Sequence, residues 1–181
     1  MAVRTWYSSD LVSPVVWGAV VGGVFIALVV HILLNMVGAG IGAVSMGAPT
    51  EGEAQSIGWG AFAWWSISGI IAAFAGGWAA GILSRANGSS NGGLHGFLSW
   101  AVTTVLVVTG AAVATGTAAA VIGAMFAPLP TSVTQTPQET SEAAQTAIGV
   151  FSIASVIALL IGAVAATGAG RIGNKAAPSR K

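Results

Sequence analysis

Residues 14–37 read PVVWGAVVGGVFIALVVHILLNMV, a run without a single Asp, Glu, Lys or Arg. A spanning helix needs about 20 consecutive apolar residues, each adding about 1.5 Å, to cross the hydrocarbon core of a bilayer. The run meets that length, so it predicts a transmembrane helix, with an apolar, glycine-rich extension to Met46. Ser13 and Pro14 suit its start, since Ser can cap a helix and Pro fits the first turn. A cleaved signal peptide would carry an apolar region of only about 7–15 residues, so cleavage is not expected.

Working outward, three more apolar stretches of spanning length occupy about 60–83, 94–120 (extended to Phe126) and 143–168. The segment Asn87 to Gly93 reads as a flexible turn, and Pro128 to Ser141, rich in Pro, Thr and Gln, as the longest polar loop. The whole chain, residues 1–181, is then a single transmembrane domain. Composition agrees. Hydrophobic residues make up 55% and charged residues 6%, against about 25% charged in a soluble domain. A net charge of +1 offers nothing to attract nucleic acid. The absence of cysteine excludes disulfides and thiolate sites.

Charge placement sets the expected orientation. Arg4, Arg85, Arg171, Lys175, Arg180 and Lys181 fall at the N-terminus, the second loop or the C-terminal tail. Glu51, Glu53, Glu139 and Glu142 fall in the first and third loops. The basic side is cytoplasmic by the positive-inside rule, which places both termini inside. Trp6, Tyr7, Trp17, Trp78 and Trp100 then lie near the inner interface and Trp59 near the outer one, with Trp64 and Trp65 one to two turns deeper. All are read as anchors and lipid contacts.

The second and fourth spans resemble each other. SISGIIAAFAGGWAAGILSR (66–85) and SIASVIALLIGAVAATGAGR (152–171) match without gaps at Ser66/Ser152, Ile67/Ile153, Ile71/Ile157, Ala72/Ala158, Gly76/Gly162, Ala79/Ala165, Ala80/Ala166 and Arg85/Arg171. Leu11 and Trp17 recur as Leu94 and Trp100 at the same spacing, and Ile41-Gly42-Ala43 with Ala48-Pro49 recurs as Ile122-Gly123-Ala124 with Ala127-Pro128. The expected unit is a helical hairpin, about 11–86 and 94–172, used twice in parallel about an axis along the membrane normal. Within it, Ala72, Gly76, Ala80 and Ser84, and likewise Ala158, Gly162, Ala166 and Gly170, recur every four residues. Each row makes a groove for close helix packing. A second row, Gly77 and Gly81 with Ala73, gives the second span a face for another neighbour, in this or another subunit.

His31 and Asn35 are the one strongly polar pair well inside a span, four residues apart on one helix face. His31 lies about 25 Å from the inner end by helix rise, past the midplane. An intramembrane ionisable residue is a candidate site, although a neutral His can also hydrogen-bond across helices, here toward Thr115 or Thr117. Proton or solute handling and ligation of a cofactor are the other readings. His95 sits at the cytoplasmic start of the third span, too far in depth to share an iron with His31. A single axial ligand for a chlorophyll-type pigment stays open.

Other chemistry is excluded. Gly38, Gly40 and Gly42 lack the strand and Lys of a phosphate loop and are expected to loosen the outer end of the first helix. Asp10 is the sole Asp and precedes the first span, so no Ser-His-Asp set forms. No carboxylate is expected inside the bilayer to carry protons. Asn87-Gly88-Ser89 fits a glycosylation pattern but falls on the cytoplasmic side. No enzyme activity, metal or resident cofactor is expected.

The runs Pro14 to Val24, Leu33 to Gly42, Gly76-Gly77-Trp78-Ala79-Ala80-Gly81 and Leu94-His95-Gly96 resemble a group of small bacterial four-helix membrane proteins, some carrying a PhnA-like label. The resemblance spans most of the apolar chain and implies a bacterial cytoplasmic membrane. It implies no activity. The expectation is therefore an all-α, polytopic four-helix bundle of two parallel-repeat hairpins. It contacts membrane lipid and packs as an accessory protein into a homo-oligomer or a larger membrane complex. The alternatives are a small-solute channel or carrier around His31 and Asn35, and a pigment- or lipid-binding subunit.

Overall fold

A computed structural model describes residues 15–45, 51–87, 90–114 and 142–178. They form four helices, α1 (Trp17–Ser45), α2 (Glu51–Ala86), α3 (Gly92–Ala114) and α4 (Glu142–Ala176). All four are long and apolar enough to span a membrane, over Trp17–Gly42, Gly58–Ala86, Gly92–Gly110 and Ser152–Ala176. Ser13, Pro14, the 128–141 loop, Thr115, Thr117 and the Phe126 extension lie outside the described residues. So do Trp6, Tyr7, Arg4, Glu139, Arg180 and Lys181.

α1, α2 and α4 are longer than the expected spans, whereas α3 is described only to Ala114, short of the expected end at about residue 120. α1 runs unbroken through Gly38, Gly40 and Gly42 to Ser45, so these glycines do not loosen its end. A helix satisfies its own backbone groups, which lipid cannot do. Glu51 and Glu53 belong to α2 and Glu142 to α4, at the helix beginnings rather than in loops. At the other end α4 continues past Gly168, so Arg171 and Lys175 lie in the helix rather than in a tail. Packing explains that extension. Gly170 lies against Gly92, Gly173 against Trp78, and Asn174 Nδ2 donates to Ser84 Oγ at 3.2 Å.

Neighbour directions follow from the closest approaches. α1 runs antiparallel to α2, with Gly23 at Gly76 and Gly38 at Trp64. α2 runs parallel to α4, with Gly77 at Ala166 and Gly81 at Gly170. α3 runs antiparallel to α4, with Gly96 at Ala166 and Trp100 at Gly162. The start of α1, the end of α2, the start of α3 and the end of α4 therefore share one end. Arg85, Arg171 and Lys175 make it the basic end. α2 is central, packing on all three others, whereas α1 and α4 do not touch among the described residues. α3 packs on α2 without a matching α1–α4 contact, a departure from strict twofold exchange of the hairpins.

The interior is small and the exterior large. Ala19, Val20, Ala27, Ala72, Ala80, Ala166 and Ala169 are buried, while Phe25, Val29, Ile32, Leu33, Met36, Ile153, Val156, Leu160 and Val164 face outward. A water-soluble monomer does not expose an apolar surface of that extent. A bilayer removes the penalty, and contact between backbones then holds the helices together. An ideal Cβ on Gly23 would lie 2.6 Å from both the Gly76 carbonyl oxygen and Ser99 Oγ, so only glycine permits this crossing.

Candidate functional site at His31

α1 brings His31 to the inside of the bundle, half-buried against α2. Its ring meets that of Trp65 edge-on, with centroids 6.2 Å apart at 85°. Gly69 lies one turn further along α2, where a Cβ would sit in ordinary contact with His31 Cε1 at 3.7 Å. Among the described residues no group hydrogen-bonds the His31 ring, and its expected partners Thr115 and Thr117 lie outside them.

His31 lines a cavity of about 60 Å³ to which all four helices contribute. α2 supplies Trp65, Ser66 and Gly69, α3 supplies Trp100, Thr103 and Thr104, and α4 supplies Ala158 and Gly162. Ser66 Oγ and Thr103 Oγ1 are buried with no hydrogen-bond partner among the described residues. A helical Ser or Thr commonly bonds the carbonyl four residues back, as Thr167 does to Ala163 at 2.7 Å. These two do not. A buried hydroxyl left without a partner costs about 1–3 kcal/mol, and the two oxygens are themselves closed off behind a mostly apolar cavity wall.

Asn35 is not in this site. Its Nδ2 donates to the His31 carbonyl at 2.8 Å, within α1, and it does not line the cavity. The two residues share a helix face, but only His31 lines the cavity. Three tryptophans read as membrane anchors also turn inward. Trp65 and Trp100 line the cavity, and Trp64 Nε1 donates to the Leu34 carbonyl at 3.0 Å, its ring resting on Gly38. Trp17, Trp59 and Trp78 remain exposed.

Both small-residue rows of α2 face neighbours inside the chain. Ala72, Gly76 and Ala80 are buried, Gly76 and Ala80 against α1. Gly77 and Gly81 meet Ala166 and Gly170 of α4. In the α4 row, Ala158 and Gly162 border the cavity, Gly162 facing Trp100.

The other histidine has a different role. His95 is fully buried. Its Nδ1 lies 2.8 Å from the Asn91 carbonyl and its Nε2 accepts the Val16 N–H at 2.9 Å. A carbonyl can only accept, so Nδ1 carries the proton and the ring is neutral. His31 lies about 22 Å along α1 from Val16 by helix rise, so no single ion can bind both rings. Among the described residues no three His, Asp or Glu side chains cluster to hold a metal.

Two polar residues missed in sequence, Ser99 and Thr103, continue a row that starts at His95. All three are buried and spaced by four on α3, a signal readable from spacing alone. No protein-family model matches the chain, and no curated protein or solved structure is significantly similar to it. The class rests on the fold itself: an all-α, multi-pass membrane protein, four helices packed together, with a largely apolar cavity where they meet, bordered by His31, Ser66 and Thr103.

Proposed function

We propose that this bundle binds and passes a small, neutral, hydrogen-bonding solute at the His31 cavity. The observation that carries the reading is the pair of unpartnered buried hydroxyls, Ser66 and Thr103, on a cavity walled by all four helices. Size bounds the occupant. A water needs about 10–15 Å³ of such space, so about 60 Å³ suits a few waters or a solute of similar bulk. A tetrapyrrole is far larger, since pockets that enclose drug-sized ligands run to about 300–1,000 Å³. Charge bounds it too. No carboxylate, Lys or Arg lines the cavity, and an unpaired ion inside a bilayer is costly.

The accessory, oligomer-forming reading drew on the small-residue rows of α2. Those rows are occupied within the chain, so the reading now rests on its other motive, the lack of buried charge, and on the exposed apolar faces of the helices. The cytoplasmic side is assigned to the basic end, where Arg85, Arg171 and Lys175 gather, by the charge rule. Cysteines placed at Arg85 and Glu51 should label from opposite sides of intact cells, and labelling from one side would overturn the four-span topology.

Transport is tested in proteoliposomes given an osmotic gradient of urea or glycerol, with swelling followed by light scattering. Vesicles with the protein should relax faster than protein-free ones for water or at least one solute. Thr103→Val should slow the excess by up to about tenfold, the equivalent of one lost hydrogen bond of about 1.4 kcal/mol. His31→Gln should alter the rate without lowering thermal stability. Relaxation no faster than in bare liposomes for water, urea and glycerol alike would overturn the proposal.

A further inference from the structure

We infer that the buried face of α3 carrying Thr103, Ser99 and His95 is a water-lined access route that connects the cavity to the basic end of the bundle. The inference rests on the solute reading of the cavity and adds its direction of access. Thr103 opens on the cavity. Ser99 and His95 follow at successive turns toward the start of α3, each step about 6 Å by helix rise. Ser99 Oγ and Thr103 Oγ1 are both buried and have no hydrogen-bond partner among the described residues. Neither oxygen has accessible surface in this packing, so the two hydroxyls, in a core of Ala, Gly, Val and a few other polar side chains, gain bridging water only as the helices part. Water in protein interiors typically joins buried polar groups that lack a protein partner.

The route has a narrow point and a closed end. At Ser99 the α1–α2 crossing comes close, for a Cβ on Gly23 would lie 2.6 Å from Ser99 Oγ and 2.8 Å from Ala80 Cβ. At His95 both ring nitrogens are committed, one to Asn91 and one to Val16. The Val16 bond ties the start of α1 to α3. Passage at this end therefore requires α1 to move from α3, the lighter of its two interfaces, since α1 packs chiefly on α2 and does not touch α4 among the described residues. The groups along the route are neutral hydroxyls and a neutral imidazole, which suits water and uncharged solutes.

The absence of native cysteine makes accessibility a direct test. Single variants Ser99→Cys, Thr103→Cys, Val102→Cys and Arg85→Cys are placed in sealed vesicles and exposed to silver ions from either side. Unmodified thiol is then counted with a fluorescent maleimide after denaturation. Water ionises a thiol and lipid does not, so Ser99→Cys should react from the basic side at least about tenfold faster than the lipid-facing Val102→Cys. Ser99→Cys as slow as Val102→Cys, while Thr103→Cys reacts, would overturn the route and leave the cavity reading intact. Thr103→Cys inert with Ser99→Cys reactive would overturn the cavity reading instead. If Ser99→Cys does not fold, the side dependence of Thr103→Cys decides. Reaction from the basic side supports the route, and reaction from the opposite side alone overturns it.

Discussion

Replacing Gly170 by Ala should destabilise the bundle by about 3 kcal/mol or more, at or beyond the upper end of what overpacking usually costs. The same change two residues earlier, Gly168→Ala, should stabilise it by up to about 1 kcal/mol. The two glycines share a helix, a depth and a composition, and they differ only in what they face. A Cβ on Gly170 would collide with the Gly92 carbonyl oxygen and stand 3.1 Å from Gly96 Cα, both backbone atoms of α3. A backbone cannot rotate aside as a side chain can, so α3 and α4 must separate. Their separation forfeits close contacts that are the main attraction between helices in lipid. Gly168 has nothing within 4 Å of its Cβ position, which leaves only the lower conformational entropy of the unfolded chain, and that favours Ala. Thermal or detergent unfolding of both variants, side by side, measures the contrast. Equal midpoints would show that the α3–α4 approach is not what holds this end together.

The architecture was legible in sequence because its signals are long. A run of apolar residues such as 14–37 cannot be solvated in water, whatever its neighbours do. Helix ends were less legible, because they depend on contacts the sequence does not display. Gly168 reads as a natural stop for α4, yet two further turns persist because Gly170, Gly173 and Asn174 pack on α3 and α2. The site was legible by half. His31 announces itself as an ionisable group inside a span. Its companions do not, because Ser and Thr are common in membrane helices and only a neighbour decides whether a hydroxyl bonds its own backbone. Asn35 shows the same limit, since its amide donates to the His31 carbonyl and it does not line the cavity. Trp64, Trp65 and Trp100 misled because indole suits both an interface and a core, whereas Trp17, Trp59 and Trp78 stay exposed. Trp64 went to the core once Gly38 left room for its ring and Leu34 offered a carbonyl.

The second large effect is expected at His95, where one ring holds two helix starts together. His95→Ala should cost about 3–5 kcal/mol, combining an unsatisfied Val16 N–H at about 1–3 kcal/mol with the void left by a fully buried ring. His95→Phe separates the two terms. It keeps most of the volume and removes both hydrogen bonds, so it should retain only the first cost, about 1–3 kcal/mol. His95→Gln, which can donate to Asn91 or accept from Val16 through its amide, should fall closest to the parent. The damage should also be local. Val16 serves as the cap of α1, its carbonyl accepting from the N–H groups of Ala19 and Val20 at 2.9 and 3.2 Å. When its own N–H loses His95, the first turn of α1 should fray. Amide exchange at Val16 and Trp17 should then accelerate in His95→Phe, while exchange near His31, about 22 Å further along the helix, stays as in the parent. Exchange rising equally along all of α1 would mean that His95 stabilises the whole helix rather than its start. An unchanged rate at Val16 would mean that the bond at 2.9 Å does not anchor α1 in the membrane.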